Sequence, residues 1–321
     1  MKALSTIHTE KELYSYLSDL LGLETKSLEE AKKNAQFLEL WNVLYKQCIP
    51  QIIYDVIEVS TPWELIGILL VLLDIGAEET ETENEVEEKG DLSSESEASL
   101  DDEMKQAKQF VRSSIPKLER RQFEILWNMF KRIPKLTFVV ENYYVDRIYR
   151  DSYYSYFSNK HFETPRYCKR LFAFNGCLLK EKNVGQIHDL APEVLQERFI
   201  GCMVIRPLEY RKIGRSLLNP FYIIDNNKVS DVYLRTAKYT VTMLGIRLAV
   251  KAFPYSMQDT ETTSCAEITI LNMMDYYSRL YVDYRFLLPS DIMSIAIQND
   301  YQRKLPTKGL NYHMISRVFM E

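Results

Sequence analysis

Residues 77–103 hold thirteen acidic side chains against a single Lys89, with no aromatic residue among them. A stretch of this kind cannot bury enough apolar surface to offset the entropy of ordering its backbone, so it reads as a disordered acidic linker that no core includes. It divides the chain into residues 1–76 and a longer C-terminal part. Because the whole 321-residue chain carries a formal charge of only −5, everything outside the linker is net basic. The acidic run reads first as a solvated spacer, with salt-sensitive shielding of that basic remainder as the functional alternative.

Before the linker, three helix starts are visible. Thr9 to Glu12 and Ser27 to Glu30 are Ser/Thr-x-x-Glu capping boxes, and Thr61-Pro62-Trp63-Glu64 adds proline at the first helical position. The second start predicts one helix running to about Pro50, with Leu28, Ala31, Ala35, Leu38, Trp41, Leu44 and Tyr45 on one side. The third leads into the apolar run 65–73, too short to span a bilayer, with Gly76 as its stop. Together these predict an all-helical unit. It reads first as a packing module, with a groove for a partner protein as the functional alternative.

After the linker, amphipathic stripes predict two helices, broken near Pro116 and ended by Pro134. Strands are expected from Leu136 onward, through a segment with seven tyrosines from Tyr143 to Tyr167 interleaved with Arg147, Arg150, Lys160 and Arg166. Interleaved aromatic and basic residues suit single-stranded nucleic acid. No RNP, helix-turn-helix or zinc-finger pattern accompanies them, and tyrosine favours half-buried strand surfaces, so nucleic acid is not an expected partner. Residues 199–205 are continuously apolar, the mark of a strand covered on both faces, and are expected at the centre of a sheet. Arg206, Arg211, Lys212 and Arg215 read as solvated loop charges. Residues 221–224, 239–243 and 246–251 predict further strands.

The five cysteines are odd in number, widely spaced and without a C-x-x-C pair, which argues against a disulfide framework and a zinc site. His161 and His188 read as surface residues. No metal or cofactor is expected. The N-terminal sequence reaches charged residues at once, without a secretory pattern, so the expectation is a cytoplasmic protein with no membrane partner.

The chemistry concentrates at residues 258–281, QDTETTSCAEITILNMMDYYSRLY. Ser264 and Glu267 form a capping box that places Cys265 at the first helical position, where open N–H groups and the positive dipole end stabilise negative charge. A cysteine there is a candidate nucleophile. Ala266, Ile270, Met273, Met274, Tyr277 and Tyr281 form the expected buried stripe, with Asp275, Ser278 and Arg279 facing away. Gln258, seven residues before Cys265, is placed to give a side-chain amide to an oxyanion beside the Cys265 N–H. The competing reading is a buried, inert cysteine after a good cap.

A glutamine, a short polar loop and a cysteine opening a long apolar helix resemble the start of papain-like cysteine peptidases, and more closely the double-glycine leader peptidases of bacterial exporters. The upstream runs FIGCMVIRPLEYRKIGRSLLNP and YVDRIYRDSYYSYFS resemble an uncharacterised bacterial family with such a domain at its C-terminal end. The resemblance spans roughly residues 137–321, with two departures: the Gln-to-Cys gap is one residue longer, and Ala266 stands where leader peptidases usually have glycine. It implies an α+β fold in which the helical unit (1–76) and acidic linker (77–103) precede an α+β domain (104–252). The last part (253–321) would be the Cys-helix lobe of a papain-like peptidase, apparently incomplete.

By the same resemblance the protein is a cysteine peptidase or acyl-transfer hydrolase acting on a peptide or protein, with a histidine base downstream on a second lobe. His313 is the one histidine after Cys265 and so the candidate base, but it falls within the apparent final helix. The expectation is accordingly a chain without its His-bearing lobe and not a competent peptidase by itself. A catalytically dead peptide-binding relative, and a sensor or scaffold with Cys265 simply packed, stand as alternatives.

Overall fold

The structure, a computed structural model, describes residues 10–23, 27–48, 54–75, 100–115, 117–161, 164–179, 184–223, 233–259, 261–297, 310 and 312–320. It is a mixed α/β protein with antiparallel sheets. The described residues fall into two compact units, one within Met1–Gln51 and Val59–Lys131, the other within Ile52–Glu58 and Arg132–Glu321.

The first unit contains α1 (Glu10–Leu21), α2 (Leu28–Ala31), α3 (Ala35–Cys48), α4 (Pro62–Leu73), α5 (Leu100–Ser114) and α6 (Lys117–Phe130). α1 buries Leu13, Tyr16, Leu17 and Leu20 and is followed by Gly22 at φ 62°. The single helix expected after Ser27 is two helices. Ser27 caps α2, and Asn34 restarts the chain by accepting the Phe37 N–H at 3.1 Å. That restart turns the buried face: Phe37, Leu40 and Val43 join Trp41 and Leu44 inside, while Leu38 is exposed. α4 is buried along nearly its whole length and ends at Asp74, in the left-handed region at φ 48°. The stop expected at Gly76, the box at Thr9 and most of the acidic linker lie outside the described residues. α5 and α6, expected to open the second domain, belong to the first unit instead. Their apolar stripes (Ala107, Val111, Phe123, Leu126) are buried, and Phe110 meets Trp63 edge-on at 5.3 Å.

The second unit begins with a strand that the helical reading of residues 1–76 missed. β1 (Tyr54–Val59) is rich in β-branched residues and lies at one edge of a sheet ordered β1-β2-β3-β4-β5. The other strands are β2 (Leu136–Tyr144), β3 (Cys168–Asn175), β4 (Phe199–Ile205) and β5 (Ile213–Leu218), with β2 to β5 antiparallel. β4 is buried at every position, as its apolar run requires, but β3 is the central strand. Glu141 joins three strands, accepting from the Tyr54 hydroxyl at 2.9 Å and from Arg170 Nε at 2.8 Å.

The tyrosine-rich segment is largely helical: Asp146 accepts the Tyr149 N–H at 2.8 Å and starts α7 (Arg147–Ser155). α8 is Pro192–Arg198. Of the strand expected at 221–224, residues 221–223 instead enter α9 (Pro220–Ile223), where Asn219 Oδ1 accepts the Phe221 N–H and Pro220 suits the first helical position, and residue 224 lies outside the described residues. β6 (Ala237–Met243) and β7 (Ile246–Ala252) form a hairpin whose turn residues Leu244 and Gly245 both have positive φ, as a type I′ turn requires. Phe172, Phe174, Phe199 and Leu217 of the sheet share one core with Tyr239, Leu248 and Val250 of the hairpin. The chain then enters α10 (Cys265–Leu280), α11 (Pro289–Ile297) and α12 (Tyr312–Met320). Among the described residues, no helix is long and apolar enough to cross a membrane.

Candidate functional site

α10 is built on two buried faces, where the sequence pattern suggested one. Ile268, Leu271 and Met274 pack with Leu287, Ile292 and Val318 around α11 and α12, while Tyr276 joins the core of the sheet and hairpin. Asp275, expected to face away, is 2 % exposed and receives Arg215 as a fork, Nε at 2.7 Å and Nη2 at 3.2 Å. Burial opposes the charge on Arg215, yet the Asp275 carboxylate outweighs it and holds the guanidinium pKa above its ordinary value. Arg215 and Arg279 both lie over the Tyr239 ring, at 5.4 and 5.5 Å. The rear of α10 is thereby fixed to β5.

Its front is fixed by the loop that follows β7. Tyr255 pairs with Ser216 through both backbone hydrogen bonds (2.7 and 3.0 Å), and the Met257 N–H reaches the Ile213 carbonyl at 3.1 Å, so residues 255–257 run along β5. Arg206, expected in solvent, is 5 % exposed, and its Nη2 donates to the carbonyls of Arg211 (2.6 Å) and Met257 (2.8 Å). Lys212 is buried as well. Asp259 Oδ1 accepts the N–H groups of Glu261, Thr262 and Thr263 at 2.9, 2.7 and 2.8 Å, and the Thr262 hydroxyl binds its other oxygen. Burial lowers the pKa of Arg206 and the buried Asp259 carboxylate opposes that most strongly, a cation and an anion stabilising each other inside the unit. Thr262 also meets the α7 hydroxyl of Ser152 at 3.2 Å, and Lys160 pairs with Glu261.

Ser264 is extended at the helix start, and Glu267, 2 % exposed, accepts its N–H at 2.6 Å. The pair has the placement of a capping box, but the Ser264 hydroxyl itself has no hydrogen-bond partner. Cys265 follows at the first helical position and is exposed, and among the described residues its N–H makes no hydrogen bond. Cys168 and Cys202, by contrast, are buried, and burial pushes both thiols up, Cys202 to about 11.

Gln258 sits half-buried between the two pinned residues Met257 and Asp259, and no hydrogen bond engages its side chain among the described residues. His313 lies exposed on α12 with its ring 5.9 Å from that of Tyr312. Among the described residues no hydrogen bond joins Cys265, Gln258 and His313. Gln258 and Cys265 thus share one pinned loop, and His313 belongs to another element. Among the described residues, no group of three or more His, Cys, Asp or Glu converges as metal ligands do. The residues that sequence reasoning missed are Arg206, Asp259, Arg215 and Asp275. Only Asp259, followed by Thr262 and Thr263, carried a local signal, that of a side chain folding back on its own backbone.

Compared with known proteins, the chain matches no family model, no curated protein and no solved structure.

Proposed function

We propose that Cys265 is the nucleophile of a papain-like acyl-transfer site, with its own N–H and the Gln258 amide as oxyanion donors. The observation that carries this reading is an exposed thiol at the first position of a sixteen-residue helix, on a loop immobilised by Arg206 and Asp259, with the adjoining N–H open. Such preorganisation is what a developing oxyanion exploits, since fixed donors need no reorientation at the moment of reaction. In the reaction the Cys265 thiol gives up its proton to water, the sulfur attacks the acyl carbon, the bond to the leaving group breaks, and a thioester remains on Cys265.

A peptide's amine must take up a proton as it leaves, and no base is hydrogen-bonded to Cys265 among the described residues; a nitrophenolate needs no such proton. With p-nitrophenyl acetate the protein is therefore expected to give a stoichiometric burst and an acetyl group on Cys265, found by peptide mass spectrometry. Cys265→Ala is expected to abolish both. Acetylation of Cys177 alone, or no burst, overturns the proposal. Steady peptide turnover lost in both Cys265→Ala and His313→Ala would instead make His313 the base.

The missing contact between Cys265 and His313 favours one second reading, a peptide-binding relative without catalysis. It requires that peptides bind equally well to Cys265→Ala and that no ester acylates the thiol.

A further inference from the structure

α7 turns Asp146, Tyr149 and Ser152 inward and leaves its other side to solvent. On that side Arg147, Arg150, Asp151, Tyr154 and Ser155, with Leu288, line a cavity of about 350 Å³. Asp151 is already committed: its two oxygens accept the Ser290 N–H and the Ser290 hydroxyl, each at 2.8 Å, which caps α11. Among the described residues neither Arg147 nor Arg150 has a carboxylate partner. Arg147 lies 4.7 Å from the Phe286 ring centroid. The lining thus carries two guanidiniums against the one Asp151 carboxylate, whose donors from Ser290 are neutral, and its net charge is positive.

From Tyr154 an aromatic surface continues outward. The Arg166 guanidinium lies 5.4 Å from the Tyr154 ring and 6.0 Å from Tyr167, and Tyr167 stands edge-on to Tyr143 at 6.0 Å. These three tyrosines come from α7, the approach to β3 and the end of β2, and they are 53, 45 and 50 % exposed. Three large rings from separate elements, brought together and left half in water, are not explained by packing. Tyr143 ends a strand, but Tyr154 lies on α7 and Tyr167 precedes β3, so two of the three are outside the strand placement that counted against nucleic acid on sequence alone. Residues 52–58 and 132–321, which make up this unit, hold 26 Lys and Arg against 21 Asp and Glu, so it also attracts polyanions over a distance.

We propose that this surface binds single-stranded nucleic acid, with a phosphate in the cavity against Arg147 and Arg150 and bases on Tyr154, Tyr167 and Tyr143. A bare phosphate or carboxylate would leave most of the cavity to water, whereas its volume is at the small end of sites for organic ligands, the size class of one nucleotide unit. Cations beside stacking rings, repeated along a surface, match the alternation of phosphate and base in a single strand, and a duplex would hide the faces that tyrosines stack on. The unit recognised is a phosphate joined to an aromatic base, whether free or within a strand, and the continuation from Tyr154 to Tyr143 favours the strand.

The test is fluorescence anisotropy on the full chain with a labelled oligothymidylate about twelve nucleotides long, at about 50 and about 200 mM salt. Binding is expected to weaken as salt rises. Replacing Arg147 and Arg150 together by alanine is expected to cost roughly tenfold or more and to flatten the log–log salt slope by about 0.7, one phosphate contact's worth on a single strand. Tyr154→Ala is expected to cost roughly tenfold with the slope unchanged. All three side chains are exposed, and an unaltered melting curve confirms that each variant folds. Absence of binding at low salt, indifference to the arginine pair, or equal affinity for polyphosphate with a silent Tyr154→Ala overturns the proposal. AMP binding as tightly as the strand, with Tyr143→Ala and Tyr167→Ala silent, overturns the strand in favour of a free nucleotide. A phosphotyrosine peptide that outcompetes the oligonucleotide overturns it in favour of a protein partner.

Discussion

α4 and α10 open with the same device, a hydroxyl residue followed three positions later by glutamate, and they use it differently. At α4 the box is complete: Thr61 Oγ1 accepts the Glu64 N–H at 3.2 Å, Glu64 accepts the N–H groups of Ser60 and Thr61, and the Thr61 hydroxyl donates to Glu39 at 2.7 Å. Burial raises the pKa of Glu39, as expected of a carboxylate drawn into that cluster. The next residues, Pro62 and Trp63, are buried. At α10 only Glu267 closes its half, the Ser264 hydroxyl is unpaired, and the next residue is an exposed cysteine. Identical local signals thus give one helix start that is sealed by its own side chains and one that is left open. A sealed start stabilises; an open one keeps donors for something else.

The sharpest expected contrast is in thiol reactivity. Iodoacetamide near pH 8 should label Cys265 and the exposed Cys177 in the native protein, while Cys202 and Cys168 should react only through opening of the fold, roughly a thousandfold more slowly. The Cys202 thiol, pushed up to about 11, also stays protonated at that pH. Labelling of Cys265 no faster than Cys202, followed by peptide mass spectrometry, would make the open start an illusion of geometry.

Next in size is how each helix is held. Asp275→Ala leaves the partly buried Arg215 without its carboxylate partner and should cost about 1–3 kcal/mol of the second unit's stability. Ile68→Ala, in the wholly buried middle of α4, should cost about 2–5 kcal/mol in the first. Trp41, Trp63 and Trp127 all lie in the first unit, so tryptophan fluorescence reads the second loss and tyrosine near-UV circular dichroism the first. A tolerated Asp275→Ala would show that α10 is held by its apolar faces alone.

The smallest effects concern the caps. Thr61→Ala should lower stability by about 1 kcal/mol, and Ser264→Ala by less than about 0.5 kcal/mol, because the Ser264 hydroxyl makes no bond that its loss would break. Equal losses in chemical denaturation would erase the distinction between the two starts.

What was legible in the sequence was local. The box at Thr61, the break near Pro116, the strands β6 and β7, and Cys265 at a helix start all depend on residues within one or two turns of each other. Where two local readings competed, the sequence did not arbitrate. Tyrosines allowed a strand at 147–155 until Asp146 capped a helix, and Phe221 to Ile224 allowed a strand until Asn219 and Pro220 started α9. β1 was hidden because a strand of six residues next to a long apolar helix has no periodicity of its own to announce it.

Tertiary structure alone decided the fate of the charges. By sequence, Arg206, Arg215 and Asp275 are three ionisable residues with no evident partner close by in the chain, and solvent is the default for such groups. In the fold, Arg215 and Asp275 come together from 60 positions apart, and Arg206 reaches Met257 across 51. A buried charge is tolerated only where a partner of opposite sign or a ring of carbonyls replaces its water, and no nearby sequence reveals whether a distant segment will supply one. The sequence by itself therefore determined that a cysteine opens a helix; the pairings of Arg206, Asp259, Arg215 and Asp275 decided that this helix start is held still and left open to solvent.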